Sequence, residues 1–181
     1  FWHEVNKTDI DFTHQQGENY LLKWYPHPKG GSYRKWYGNF DYIVNWKNDG
    51  QEIQCYLGTN LNVDKFYNDG LCWSRTTSGP LSSRLYIKTH IPDIENPVLF
   101  CSGDELYYLL GVMNSTVVND LLGIINSTLH YQVGNIAKIP LINANHYEKA
   151  VANVVEENIK MCKDDWDSFE TSWDFEQHPL I

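Results

Sequence analysis

Residues 23–48 read KWYPHPKGGSYRKWYGNFDYIVNWKN, and in them Lys23, Lys29, Arg34, Lys35 and Lys47 interleave with Trp24, Tyr25, Tyr33, Trp36, Tyr37 and Trp46. Cationic side chains at this density can neutralise phosphates, and the Gly30-Gly31 pair lets backbone amides approach an anion closely. An Arg fork matches guanine O6 and N7, while Asn39 or Asn45 could bond adenine N6 and N7. A second stretch, WSRTTSGPLSSRLYIK at 73–88, sets Arg75, Arg84 and Lys88 beside Ser78 and other small hydroxyls. The candidate DNA contacts are therefore Lys29, Gly30, Arg34, Lys35, Asn39, Asn45, Lys47, Arg75, Ser78, Arg84 and Lys88. From composition alone an equal case exists for Trp and Tyr as strand and core residues whose basic neighbours merely solubilise an edge.

Catalytic patterns are missing. A methyltransferase needs a glycine-rich cofactor loop on a βα unit, and a nucleotide-phosphate enzyme needs its own glycine pattern. Neither occurs, and Lys29-Gly30-Gly31-Ser32 is too short for a P-loop. There is no G-x-S-x-G elbow and no His-Glu-x-x-His. Asp164, Asp165, Asp167, Glu170, Asp174 and Glu176 form an acidic cluster that could in principle supply a glycosidase pair. Acids gathered in this way are far more often a solvated surface. The His residues are scattered, with no pair at helical ligand spacing, so no metal or cofactor is expected in this chain. Cys55, Cys72, Cys101 and Cys162 lack Cys-x-x-Cys spacing and read as free cysteines of a cytosolic protein. Asn6, Asn114 and Asn126 begin glycosylation sequons, but the latter two fall in an apolar helical stretch that could not accommodate a glycan.

At 181 residues the chain is about one ordinary domain. No apolar run approaches the roughly 20 residues of a membrane span. It starts at Phe1 rather than Met, which suggests a fragment of a longer protein. The net charge of −9 argues against a nucleic-acid binder when taken whole. Divided, it says something else. Residues 1–90 carry 10 basic and 9 acidic side chains, and residues 91–181 carry 4 and 14, so the acid is concentrated in one half. That asymmetry suggests a basic face for a polyanion and an acidic surface turned away from it.

The elements divide at about the same place. Short aromatic and β-branched runs at 20–25, 40–46, 71–75, 84–88 and 98–100 are bounded by turn residues, including Pro26, Pro28 and Asn48-Asp49-Gly50. They predict a twisted, mostly antiparallel sheet. From Ser102-Gly-Asp-Glu105, which has capping-box form, the period becomes helical. Leu106, Leu109, Leu110 and Met113 make one stripe, and Val117, Val118, Leu121, Leu122 and Ile125 a second beyond a break at Asn114-Ser115. A third helix from about Asn145 presents Tyr147, Val151, Val154, Val155, Ile159 and Cys162. The expected fold is α+β: one domain, mainly β over 1–101 with a basic face, mainly α over 102–181 and acidic.

The block 23–50 resembles the middle of the C-terminal half of the PglX family, the adenine-specific DNA methyltransferases of bacterial BREX phage-defence systems. The resemblance continues through LCWSRTTSGPLSSRLY at 71–86, LLGVMNSTVVNDLLGIIN at 109–126, YQVGNIAKIPLI at 131–142 and DDWDSFETSWDFEQHPLI at 164–181. The 114–141 portion is also similar to target-recognition domains of type IIG restriction–modification enzymes and, loosely, type I specificity subunits. At 81–84 the chain departs from the common Phe-Ser-x-Arg with Leu81-Ser82-Ser83-Arg84. The resemblance implies a target-recognition domain that grips double-stranded DNA. It also implies a separate methyltransferase domain of the same parent, bearing an Asn-Pro-Pro-Tyr-type motif, which binds S-adenosylmethionine and methylates adenine N6. Other defence-system proteins are further expected partners. Two other functions compete: a protein-docking domain of a defence complex, or a glycan-binding module that stacks sugars on Trp24, Trp36 or Trp46.

Overall fold

In the computed structural model, residues 1–13, 22–58, 61, 63–126, 128–142 and 147–181 are described. The α+β expectation holds, with the strands divided between two small antiparallel sheets. One pairs β1 (Trp24–His27) with β2 (Tyr42–Asn45). Pro26 lies inside β1 rather than ending it, which is tolerable because each strand of a two-stranded sheet has a free edge. Its carbonyl accepts the Ile91 amide at 2.9 Å. Residues 20 and 21 of the run expected to form this strand lie outside the described residues.

Asn48, Asp49 and Gly50 do turn the chain, all three in the left-handed region. A helix missed by the sequence reading then runs to Gly58, and the turn and helix together form α1 (Lys47–Leu57). A Cβ on Gly50 would stand 2.5 Å from the Trp46 ring, so glycine is required there by both φ and space. Trp46, Tyr25 and Ile91 make a small core with Ile53 packed on its side.

The second sheet has the order β4 (Ser83–Tyr86), β3 (Gly70–Trp73), β5 (Val98–Phe100). Its apolar face meets α2 (Gly103–Met113) and α3 (Thr116–Ile125), the short α4 (Val133–Ile136) and the long α5 (Glu148–Asp167). Leu71, Trp73 and Leu81 join Leu106, Leu110, Met113, Val118, Leu122 and Val155 in the principal core. Burying each such side chain contributes about 1.5–3 kcal/mol. Ser102 is the α2 N-cap but makes no side-chain cap bond, so the capping box is not formed. Ser115 does recap the chain, its Oγ accepting the Val118 amide. The periodic stripes are core only in part. Val151, Val155 and Ile159 pack inward, whereas Tyr147, Val154 and Val117 are exposed.

A third cluster fastens the end of α5. Trp166 is buried against Tyr37 and Phe40, and Trp173 stacks on Phe40 beside His90. The four cysteines are free. Among the described residues, no single helix is long and apolar enough to cross a membrane.

Two consequences are measurable. A Cβ on Gly70 would lie 2.4 Å from the Leu99 carbonyl oxygen, which is backbone and cannot yield. Gly70→Ala should therefore loosen β3 from β5 and destabilise the protein by about 1–3 kcal/mol, read as a lower urea midpoint. His90 is wholly buried, and burial lowers its pKa from 6.5 to about 3. Between those values the unfolded chain binds the extra proton, so stability falls as pH drops through this window and is unaffected above it. From pH 7 to 4.5 the native protein should lose about 2 kcal/mol more than His90→Phe does in parallel urea titrations.

Candidate functional site

Strand β4 divides the basic residues into buried and exposed groups. Its edge away from β3 is occupied by the loop at 31–40. Trp36 donates its amide to Ser83 O at 2.8 Å and accepts the Leu85 amide at 2.9 Å. Both bonds hold Trp36 at φ +71°, a conformation that a bulky residue adopts only under such constraint. Asn114, at the end of α2, bonds both the amide and the carbonyl of Ser83 through its side chain. That burial also closes the Asn114 sequon to glycan attachment.

Arg84 is 1% exposed. Its guanidinium donates to Asn96 Oδ1 at 2.9 Å, Ser74 Oγ at 3.3 Å and Arg34 O at 3.4 Å. It is an internal strut and cannot meet a phosphate, so the expectation of a DNA contact there is corrected. Asn39 is also buried, donating to Ser32 O, and has no free edge for a base. Asn45 donates to Glu52 Oε2 at 2.7 Å. Lys35 reaches the Asn114 carbonyl at 2.8 Å.

Arg34 is held by the acidic helix. It pairs with Asp165 at 2.8 Å and lies over the Trp166 ring, with Phe169 beside it. The acidic segment is therefore not simply a solvated surface turned away from the rest. Lys163 bonds Asp167 and lies 3.4 Å from Asp174. Burial works against the Lys163 charge, but the Asp167 bond and the nearby Tyr37 and Asp174 outweigh it and raise its pKa.

Part of the remainder lies around Ser74 and Glu95. Lys29 is exposed, lying over the Tyr42 ring. Gly30 follows it, beside Ser74 and the Glu95 backbone. Arg75 continues from Ser74 and pairs with Glu95 at 3.0 Å. Glu95 also accepts from Thr76 at 2.9 Å, and the Thr76 hydroxyl lies 2.9 Å from His130 Nδ1. Ser78 is exposed on the same loop, and Tyr131 Oη closes that loop by donating to Gly79 O at 3.2 Å. Tyr33, half exposed, neighbours Tyr131. At the margin, His27 Nδ1 donates to Ile91 O at 2.7 Å, and burial lowers its pKa despite that bond and the nearby Asp93.

Gly30 and Arg75 are thus brought together around Ser74 and Glu95, with Lys29 and Ser78 exposed on the two adjoining loops, while Lys47 and Lys88 are exposed elsewhere. Lys47 follows the far end of β2, and Lys88 borders a hollow with Tyr67, Asn68 and Cys101. His130 and Glu95 were not singled out for this site, because neither belongs to a local motif. Only the fold brings them to Thr76, through an isolated bridge between Thr76 and His130. Trp46 is buried and Trp24 and Trp36 are half-buried, which leaves no open row of Trp faces for sugars. Among the described residues no cluster of His, Cys, Asp or Glu could hold a metal.

No protein-family model matches the chain. Over 99% of its length it is 34% identical to the adenine-specific methyltransferase BrxX of Escherichia coli O9:H4 (strain HS). It is 31% identical, again over 99% of its length, to the adenine-specific methyltransferase PglX of Lacticaseibacillus casei (strain Zhang). The chain spans only 14% and 16% of the lengths of these two relatives. The resemblance read from the sequence is borne out: the chain matches a segment of adenine-specific methyltransferases of the PglX and BrxX kind.

Arg34→Ala should cost about 1–2 kcal/mol of stability, from the lost Asp165 pair and ring stacking. Arg34→Lys should restore little of it, since a point charge does not stack as a planar guanidinium does. Arg75→Ala, on the exposed face, should shift the urea midpoint little.

Proposed function

We propose that this chain is a DNA-recognition segment of an adenine-specific methyltransferase and has no catalytic role of its own. The observation that carries this reading is the approach of Gly30 to Ser74 and Glu95, which sets the loop bearing exposed Lys29 beside the linked group of Arg75, Thr76 and His130. A segment matching methyltransferases named adenine-specific is expected to meet DNA, and this face has the chemistry for it. Lys29 neutralises a phosphate while the Gly30-Gly31 backbone approaches the sugar–phosphate chain closely. Arg75 is held extended by Glu95 and can turn its fork onto guanine O6 and N7. The Thr76 and Ser78 hydroxyls and the His130 ring supply shorter-range donors and acceptors.

The division of labour follows from the chemistry of the target. Adenine N6 lies within the base stack, so the methyltransferase domain must extrude the base before methylating it. That domain would bind S-adenosylmethionine. This segment would grip the neighbouring duplex and set the position at which extrusion occurs, packed against the methyltransferase domain of the same polypeptide. The acidic helices lie toward solvent or protein and repel the duplex from other orientations.

Salt dependence tests the proposal in the full-length methyltransferase. Affinity for duplex DNA should fall on a log–log plot with a slope of about −0.9 per phosphate contact. Lys29→Ala should make the slope shallower by about one contact, and Lys88→Ala should leave it unchanged. Arg75→Ala should alter which adenines become methylated. A flat salt response, or an unaltered methylation pattern in Lys29→Ala/Arg75→Ala, would overturn the reading.

A further inference from the structure

On the side of the molecule formed by the helices, α3 and α5 each pack on α2 and leave a channel between them. Tyr108 and Val112 on α2 form its floor, Val117 and Leu121 on α3 one wall, and Val151 and Val154 on α5 the other. The volume is about 670 Å³. Among the described residues, none that lines it is charged, and Val117 and Val154 are 65% and 58% exposed. An exposed apolar surface of this extent marks an interaction site.

We propose that this groove receives an amphipathic helix from another part of the same polypeptide, apolar on one face and carrying Lys or Arg on its flanks. The inference rests on the reading of the chain as a segment of a longer methyltransferase. The shape suits a helix. The lining on α5 runs from Ala150 to Asn158, which is about 12 Å or just over two turns. A helix laid there would meet α3 and α5 at the usual 8–10 Å spacing, with anchors at i, i+3 or i+4, and i+7.

Charge selects the flanks. Asp120 on α3 and Glu157 on α5 are exposed and have no ion-pair partner among the described residues. The helical part, residues 102–181, carries 12 acidic against 4 basic side chains. A second copy would bring the same acidic surface to the groove and be repelled, whereas a basic-flanked helix would be attracted. Length selects the source. Relatives matched over only 14–16% of their length have most of their polypeptide outside this segment, and a tethered helix binds at high effective concentration.

The test places the photo-crosslinking residue p-benzoylphenylalanine at Val154 in the full-length protein and maps the linked peptides by mass spectrometry. The expected product is an intramolecular link to a segment with helical apolar spacing and flanking Lys or Arg. Glu157→Lys in the same protein should lower its yield about threefold at low salt. A link to a second copy or to another protein, no link at all, or a yield indifferent to Glu157→Lys would overturn the proposal. DNA affinity measured on the same samples separates the two readings. Salt-dependent binding that persists without the intramolecular link removes the groove proposal alone, and an intact link without DNA binding removes the recognition reading alone.

Discussion

The free edge of β4 governs the arrangement of the whole molecule. A strand with one side paired must satisfy the backbone groups on the other, or leave them to water or a foreign strand. Here β3 takes one side, while Trp36 and the Asn114 side chain take the other. That solution commits two distant segments at once. It draws the 31–40 loop across the sheet and fixes the junction of α2 and α3 at the height of Ser83. Arg84, pointing beneath, then ties the loop to Ser74 and Asn96. The positive φ of Trp36 is the strain this closure imposes, held by its two backbone bonds.

The same closure sorts the cations. Arg84 is consumed inside and Arg34 is drawn onto Trp166 and Asp165 at the surface, so two of the three arginines are committed to contacts within the chain. Arg75 remains, on the short stretch that leaves β3 just beyond Ser74. Because Ser74 is also the residue beside Gly30, the brace under the sheet sets the spacing between the glycine loop and Arg75. The exposed face is therefore built on rigid strand ends, and a change at Arg84 would be felt there without Arg84 touching any ligand.

Much of this was legible in sequence, and the failures have physical causes. Strands β2 to β5 announce themselves by β-branched and aromatic runs between turn residues, and α2, α3 and α5 by their apolar period. The helix after Gly50 was hidden because Gln51-Glu52-Ile53-Gln54 presents little apolar periodicity, its anchor being Ile53 against Trp46. The site was half legible. Lys29, Gly30, Arg75 and Ser78 stand in basic, hydroxyl-rich stretches that sequence can show. Nothing in sequence separates them from Arg34, Arg84 or Asn39, since burial depends on contacts made 50 or 131 residues away. Residue type told which groups can bind anions, and only the fold told which of them are already engaged within the chain.

The opposition between a net charge of −9 and a DNA-facing role resolves in the same terms. Exposed charges act over about 8 Å at physiological ionic strength, so a duplex senses the face it approaches more than the molecular sum. Near Lys29 and Arg75, Glu95 is paired with Arg75, and Asp93 lies 3.9 Å from the ring of His27, whose burial favours its neutral form. On the far helices Asp120, Glu157 and their neighbours are exposed. On the proposed reading, that surplus raises the energy of every wrong approach, and a weakly basic face then suffices to set orientation. A uniformly basic domain would bind DNA more tightly and choose its pose less well. The acid concentrated in the second half of the chain is thus part of how recognition would be directed.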